Sequence, residues 1–514
     1  MKKIISLLLI ATILLSFAAC TTKEGKINLD IDYEIGDTGG LEVPFGNGET
    51  ITWIGSSETA ESTYMFDRLS EITGLNVEPT YMPSSSAKEK VNVLLAGGKL
   101  PDILGAGVGT LSEIKKISQQ GAYAAVTDYL DKMPNFMRIF DTDENRWMFK
   151  TYAADDGKLY CLPAYDISRP VNHGMLYRKD IFEKHNIPMW NSPETFYQAL
   201  KKLKEIYPDS YPLTSKNTTK ILSNYSVAWG ISAYQPYFDE ETNLWKYSDT
   251  SAEMKEMLDF FRKLYAEGLL DIEFLTNTQP AWTQKMTTGK SFVSYDWIGR
   301  LDEFSRGDAY DPDYDLRYGN PVGPKQTLVT LAKIGEGGCV VANNKNAELS
   351  MKLMDFMYSE AGAQLSTLGI EGQTYKIGED GMAEYLGFEE GQVLSSSDLS
   401  QKYGLIVNGM YRTTDKRSIS YKFSEREQEA QDWYKNCGGF EPMDPVMSFD
   451  DKTSNDVVKY ITALSKEFET VMFNYIVGSN TGDKAWNEWL NTAKKLGEDQ
   501  LIKIYNDRYN KLYK

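Results

Sequence analysis

The sequence predicts an α/β protein of two lobes with a helical C-terminal section. Two observations carry that expectation. Strand-like and helix-like segments alternate as β-α-β-α-β from residue 49 to about 106, the order of a largely parallel sheet with helices on its faces. The same alternation returns between residues 192 and 344, and a chain of 514 residues exceeds a single ordinary core.

Each element has a local signal. ETITWIG (49–55) alternates like a strand, and the helix expected over 62–73 puts Met65, Phe66 and Leu69 on one face before Gly74 stops it. LNVEPTYM reads as a second strand, AKEKVNVLLAGG as a second helix and PDILGA as a third strand. Later, SPETFYQALKKLKEI (192–206) places Phe196, Leu200, Leu203 and Ile206 together, and residues 251–268 keep a helical apolar period up to Gly268. GKSFVSYDW (289–297) and GGCVVANN (337–344) have strand character, and the chain beyond about 459 reads as helices. The acidic doublets in DDG (155–157) and DEET (239–242) read as hairpin turns.

The first residues, MKKIISLLLIATILLSFAAC, combine two lysines, an apolar stretch and small residues before a cysteine, the composition of a secretory leader. Phe17-Ala18-Ala19-Cys20 resembles the lipobox of bacterial lipoproteins, which implies cleavage before Cys20 and a diacylglycerol on its sulfur; Phe17 departs from the usual aliphatic residue. Residues 21–48 are glycine-rich, acidic and without period, and read as a flexible tether.

Charge and composition exclude several functions. The formal charge is −18, or −20 once Lys2 and Lys3 leave with the leader, which disfavours nucleic acid and anionic lipid surfaces as partners. The two histidines, His173 and His185, leave little room for a histidine-rich metal site. Cys161, Cys339 and Cys437 are too scattered for a disulfide framework and read as buried small side chains, with one incidental disulfide left open. DPDYD (311–315) alternates acids, yet Leu316 and Val322 occupy the sixth and twelfth places of a calcium loop, so it reads as a solvated turn and no metal is expected. The 33 tyrosines and 10 tryptophans suit an exported protein that handles carbohydrate.

Gly105, Gly107 and Gly109 follow the third strand, where a nucleotide loop would lie. Their spacing misses the dinucleotide fingerprint and no Gly-Lys-Ser/Thr accompanies them, so no cofactor is expected. Two uses remain open: a plain tight turn, or a turn whose bare backbone lets a ligand approach.

EITGLNVEPTYMPSSSAKEKVNVLLAGGKLPDILGAG resembles the N-terminal lobe of family 1 extracellular solute-binding proteins, the lipoprotein receptors of bacterial ABC sugar importers. DGKLYCLPAY (156–165), LYRKDIFEKHNIPMWNSPETFYQALKKLKEIYPDSYPL (176–213), YSDTSAEMKEMLDFFRKLYAEGLLDIEFL (247–275) and GIEGQTY (369–375) are similar to further segments of that family, in order, over nearly everything from residue 49 onward. The resemblance implies a type II periplasmic-binding-protein-like fold with the ligand in a cleft between lobes and a hinge of two or three crossing strands. It further implies a monomer that closes by hinge bending, delivers a carbohydrate to the permease subunits, and sits lipid-anchored on the outer face of the cytoplasmic membrane. The expected division is a leader of 1–19, a tether of 20–48, an N-terminal lobe of 49–165 with about 338–400, and a C-terminal lobe of 166–337 with about 401–514.

Candidate ligand contacts follow partly from the resemblance. In the N-terminal lobe they are Ser56, Ser57 and Glu58 after the first strand, with Gly107 and Gly109 beside them. In the C-terminal lobe, SYDW puts Asp296 and Trp297 at a strand end where maltodextrin-type receptors keep a stacking aromatic, and Arg300 follows. Core packing for Trp297 and a helix N-cap for Asp296 are the competing roles. Tyr225 and Trp229 form a second aromatic pair, four apart as a buried helix face would also be. Tyr165 and Asp166 lie just past the first crossing, as hinge or cleft residues. No catalytic group is expected: the adjacent acids diverge, and neither Gly-x-Ser-x-Gly nor His-Glu-x-x-His occurs. The alternatives are a receptor for a peptide or other non-sugar solute on the same fold and, less favoured, an exported polysaccharide-cleaving enzyme.

Overall fold

A computed structural model describes residues 32–514 except 60, 217–220, 305–312, 390–391 and 393. The expected leader and the expected lipidation site at Cys20 therefore lie outside the described residues. The strands are β1 (Thr50–Ser56), β2 (Asn76–Met82), β3 (Ile103–Leu104), β4 (His173–Arg178), β5 (Pro236–Asp239), β6 (Leu244–Tyr247), β7 (Val293–Trp297), β8 (Leu316–Gly319), β9 (Val340–Val341), β10 (Tyr375–Ile377) and β11 (Ala383–Tyr385).

The N-terminal lobe is built on a sheet of order β2-β1-β3-β9. β1 runs parallel to β2 and β3, as the β-α-β-α-β pattern requires, and β9 closes the edge antiparallel to β3. The helices Tyr64–Thr73 and Ser84–Ala96 make the crossovers. Gly74 ends the first in the left-handed region at φ 73°, the geometry that glycine supplies without a Cβ penalty. Trp53, Phe66, Leu69, Ile103 and Phe136 are fully buried in the core below this sheet.

The C-terminal lobe holds an antiparallel sheet of order β7-β4-β8, extended by parallel bridges from Leu213 to Val293 and to Leu270. The DEET turn joins β5 to β6 as a hairpin. Helices Asp451–Ile476, Gly482–Leu496 and Glu498–Tyr513 form the helical end, packed against Ala252–Ala266; Trp489 Nε1 donates to Asp249 O at 2.6 Å and locks them to the lobe.

Three segments pass between the lobes among the described residues. Residues 162–166 pair antiparallel with 333–339 through Leu162 N–H to Cys339 O (2.8 Å) and Asp166 N–H to Lys333 O (2.7 Å), and Tyr165 N–H reaches the third segment at Arg412 O (2.7 Å). Asp166 adopts a left-handed φ of 50°, and Lys416 Nζ binds both its carbonyl (2.7 Å) and its carboxylate (2.9 Å), which ties the first crossing to the third. Cys161 and Cys339 are buried at this hinge as free thiols, and Cys437 is free and half-buried, so the incidental disulfide does not form.

Two expected boundaries move. The segment expected as a tether is packed onto the fold before residue 48, because Leu41 and Val43 are buried in the N-terminal core and Phe45 N–H donates to Thr73 O at 3.0 Å. Residues 401–410 belong to the N-terminal lobe: Leu405, Val407 and Met410 are in its core, and the third crossing follows them.

Candidate interlobe site

Topology fixes which ends of the two sheets face each other. β9 follows the second crossing and pairs with β3 at Leu104↔Val340, so the carboxyl ends of β1, β2 and β3 point toward the hinge. In the other lobe β4 starts after the first crossing, and the register His173↔Trp297 and Met175↔Gly319 puts the ends of β7 and β8 beside its start. This topology directs the turn after Ser56 from one lobe and His173 and Trp297 from the other toward the hinge side, which makes them the candidate walls. Ligands of open α/β sheets bind outside such carboxyl ends.

Trp297 is the large aromatic at this place, with its residue surface 42% exposed. Its Nε1 donates to Asn172 Oδ1 (3.2 Å), and the ring folds over Gly299, where an added Cβ would come within 2.9 Å of Cζ3. His173 lies beside it; desolvation, with a smaller push from Lys216, lowers its pKa against the pull of Asp296. A neutral imidazole offers one donor and one acceptor. His173 was legible only as one of two histidines, since its pairing with Trp297 depends on strand register.

Asp296 and Arg300 play a different part from the one expected. Asp296 is buried at 3% exposure, accepts the Trp297 N–H at 2.8 Å, and pairs with Lys216 (2.7 Å) and Arg300 (3.5 Å). It does not cap the helix Arg300–Glu303, whose N-cap position is Gly299. Arg300 also pairs with Glu303, so both ions are spent inside the protein and hold the strand end that carries Trp297.

Tyr225 and Trp229 are core residues, not platforms. Trp229 is 6% exposed and donates Nε1–H to Val322 O at 3.0 Å, while Tyr225 is 3% exposed with its ring 4.9 Å from that of Phe261. Their four-residue spacing satisfied both roles, and packing took it.

On the N-terminal wall, Ser57 and Glu58 remain at least partly accessible, but each has a local partner. Glu58 Oε1 accepts Ser84 N–H at 2.9 Å at the start of helix Ser84–Ala96, Ser57 Oγ donates to Glu61, and Ser56 Oγ lies 2.6 Å from Ser84 Oγ. Gly107 and Gly109 do not open the backbone to a ligand. Both have left-handed φ, and their missing side-chain volume is filled by Ala87 O (2.5 Å) and Glu113 Oε2 (2.3 Å). The turn leads into a capping box in which Thr110 N–H donates to Glu113 Oε2 at 2.8 Å. Gly105 packs on Gly409 of the segment leading to the third crossing, a Cβ there meeting Gly409 O at 2.0 Å. Tyr165 and Asp166 are hinge residues, with the Tyr165 ring 5.8 Å from Phe140.

The family of bacterial extracellular solute-binding proteins matches residues 65–372. The chain belongs to that family. This solute-binding protein is 23% identical to lipoprotein LipO of Bacillus subtilis (strain 168) over 468 residues, 86% of this chain and 88% of LipO. It is 22% identical to the polygalacturonan/rhamnogalacturonan-binding protein YtcQ of the same organism over 334 residues, 61% of this chain and 63% of YtcQ. Among solved structures, the alginate-binding protein AlgQ2 without calcium ion matches with a TM-score of 0.65 at 19% identity, covering 90% of this chain and 98% of that one; the likeness shows a shared fold. YtcQ and AlgQ2 are named as binding proteins, and LipO as a lipoprotein. Among the described residues of this solute-binding protein no helix is long and apolar enough to cross a membrane, and no cluster of metal-ligating side chains is found.

Proposed function

We propose that this protein captures a carbohydrate between its lobes and hands it to the transmembrane subunits of an ABC importer, as a monomer held on the outer face of the cytoplasmic membrane by lipid on Cys20. The observation that carries the proposal is Trp297, an exposed indole at the interlobe end of β7, braced by Asn172 and packed over Gly299. A flat ring with one polar edge suits the apolar C–H face and hydroxyl rim of a sugar. The polysaccharide-binding names of YtcQ and AlgQ2 support the same chemistry.

Binding is the whole task on this account. The residues around Trp297 supply a stacking face (Trp297), a neutral donor and acceptor (His173) and an amide (Asn172), and none of them is poised as an acid–base pair. The three crossing segments give the lobes a common hinge, so ligand contacts made to both lobes would favour the closed form.

The test is tryptophan fluorescence of the soluble chain from residue 21, titrated with mono- and oligosaccharides. Saturable quenching that disappears in Trp297→Ala supports the proposal. Quenching by peptides alone would move the assignment to a peptide receptor, and release of cleaved sugar would make the protein an enzyme.

A further inference from the structure

The lobes touch at a place away from the candidate ligand walls. Helix Leu111–Ser118 of the N-terminal lobe lies against helix Asp451–Ile476 of the C-terminal lobe. Beside it, Thr151 Oγ1 is 3.4 Å from the hydroxyl of Tyr513, and that hydroxyl donates to Val446 O at 2.9 Å. Val446 packs on the N-terminal core, while Arg508 holds the same segment to the C-terminal lobe by donating to Ser448 O and, at 3.3 Å, to Ser448 Oγ. From the N-terminal side, Lys115 Nζ donates to Thr151 O at 2.9 Å. Burial, with Arg508 pushing the same way, brings the Lys115 ammonium down to about 8 against the pull of Cys161, Asp155 and Glu336.

This contact and the candidate walls lie on opposite flanks of the hinge. The first crossing is the middle strand: its Leu162 and Asp166 N–H groups point to the second crossing and its Tyr165 N–H to the third. Tyr152, next to Thr151, donates its hydroxyl to Gly335 O of the second crossing at 3.3 Å, so the contact sits on that flank. The walls sit on the other. Ser56 N–H donates to Asn408 O, at the approach to the third crossing, at 2.9 Å. The chain that follows the third crossing grips the start of β4, where Gln431 accepts Val171 N–H (3.0 Å) and donates to Val171 O (2.8 Å), two residues before His173. A rotation that carries the turn after Ser56 toward Trp297 therefore draws Thr151 away from Tyr513. In this structure the contact is made and Trp297 is exposed.

We infer that Tyr513 and the segment 446–448, docked on Thr151 and Lys115, form an interlobe latch that holds the unliganded protein open. Closing breaks the latch, so ligand contacts to both lobes must outweigh it before a solute is captured. The apparent affinity scales with the fraction of molecules already closed, and the latch keeps that fraction low. Removing a latch contact should therefore favour closure with no change at the ligand site. One hydrogen bond of ordinary strength corresponds to about a threefold to tenfold change in the closed-to-open ratio. The inference concerns closure alone and holds for any solute, so it stands or falls apart from the carbohydrate assignment.

The experiment needs no ligand. Small-angle X-ray scattering and iodide quenching of tryptophan fluorescence are measured on the soluble chain from residue 21, as wild type, as Tyr513→Phe, and as Tyr513→Phe combined with Val446→Ser. Tyr513→Phe removes the hydroxyl and keeps the ring that stacks on Tyr509. It should raise the closed-to-open ratio about threefold to tenfold, read as a smaller radius of gyration and weaker quenching, because closure covers Trp297. The double variant should move further in the same direction, and both should keep the circular dichroism of the wild type. A group that merely stabilised the C-terminal lobe would leave the radius unchanged or enlarge it. A radius and quenching in the double variant that equal or exceed those of the wild type overturn the inference.

Discussion

The indole of Trp297 lies over the Cα of Gly299, so close that a methyl group there would meet the ring at 2.9 Å. The glycine therefore sets the attitude of the ring, and the two residues act as a unit. Trp297→Ala should abolish ligand binding while changing stability by no more than about 0.5 kcal/mol, because the ring is largely outside the core. Gly299→Ala should weaken binding while leaving the fold intact, read by titration alongside thermal melting. A collapse in melting temperature for Trp297→Ala would make the ring structural.

Trp229 gives the opposite expectation. Its Nε1–H is buried against Val322 O, and Trp229→Phe leaves that carbonyl without its donor. Stability should fall by about 1–3 kcal/mol in urea unfolding. The fraction that remains folded should bind ligand as the wild type does; loss of binding at full stability would return Trp229 to the site.

Gly105 tests the packing of the N-terminal lobe at the approach to the hinge. A Cβ there meets the backbone oxygen of Gly409 at 2.0 Å, and a backbone atom cannot rotate away as a side chain can. Gly105→Ala should destabilise by about 1–3 kcal/mol, the usual cost of overpacking. Gly107→Ala combines a close contact with a left-handed φ of 73° and should cost at least as much. A neutral effect at both positions would mean that the turn is loose in solution.

Stability should also depend on pH with a sign that follows from Asp444. Its folded pKa of about 6 lies above the unfolded value of about 3.9, so the folded state holds more protons between those limits. Its contribution is full below about pH 4 and is lost as pH rises through 6. Asp239 works the other way: hydrogen bonds from Lys246 and Thr242 hold it at about 2, and that contribution is lost as pH falls below about 4. Melting temperature should accordingly peak on the acid side of neutrality, and Asp444→Asn should flatten the decline between pH 4 and 6. An unaltered decline in the variant would locate the titration elsewhere.

Much of the fold was legible because it is written in local periods. The β1 to β3 alternation, the helix stops at Gly74 and Gly268, and the DEET hairpin depend on residues a few positions apart. The limits of the lobes were less so. Residues 32–48 lack any period, yet Leu41 and Val43 fill the N-terminal core, a use that depends on partners far along the chain. The site divided along the same line. Trp297 stood out by type at a strand end, whereas Asp296, Arg300, Gly107 and Gly109 looked like contacts because their partners, Lys216, Glu303, Ala87 and Glu113, become neighbours only in the fold. His173 needed the register of β4 against β7.

The most direct test of the central claim is isothermal titration of the soluble wild type and Trp297→Ala with a panel of oligosaccharides, followed by chromatography of the mixtures. The account predicts one-to-one binding of at least one intact oligosaccharide by the wild type and none by the variant. Binding that survives in the variant, or a sugar recovered in pieces, would contradict it.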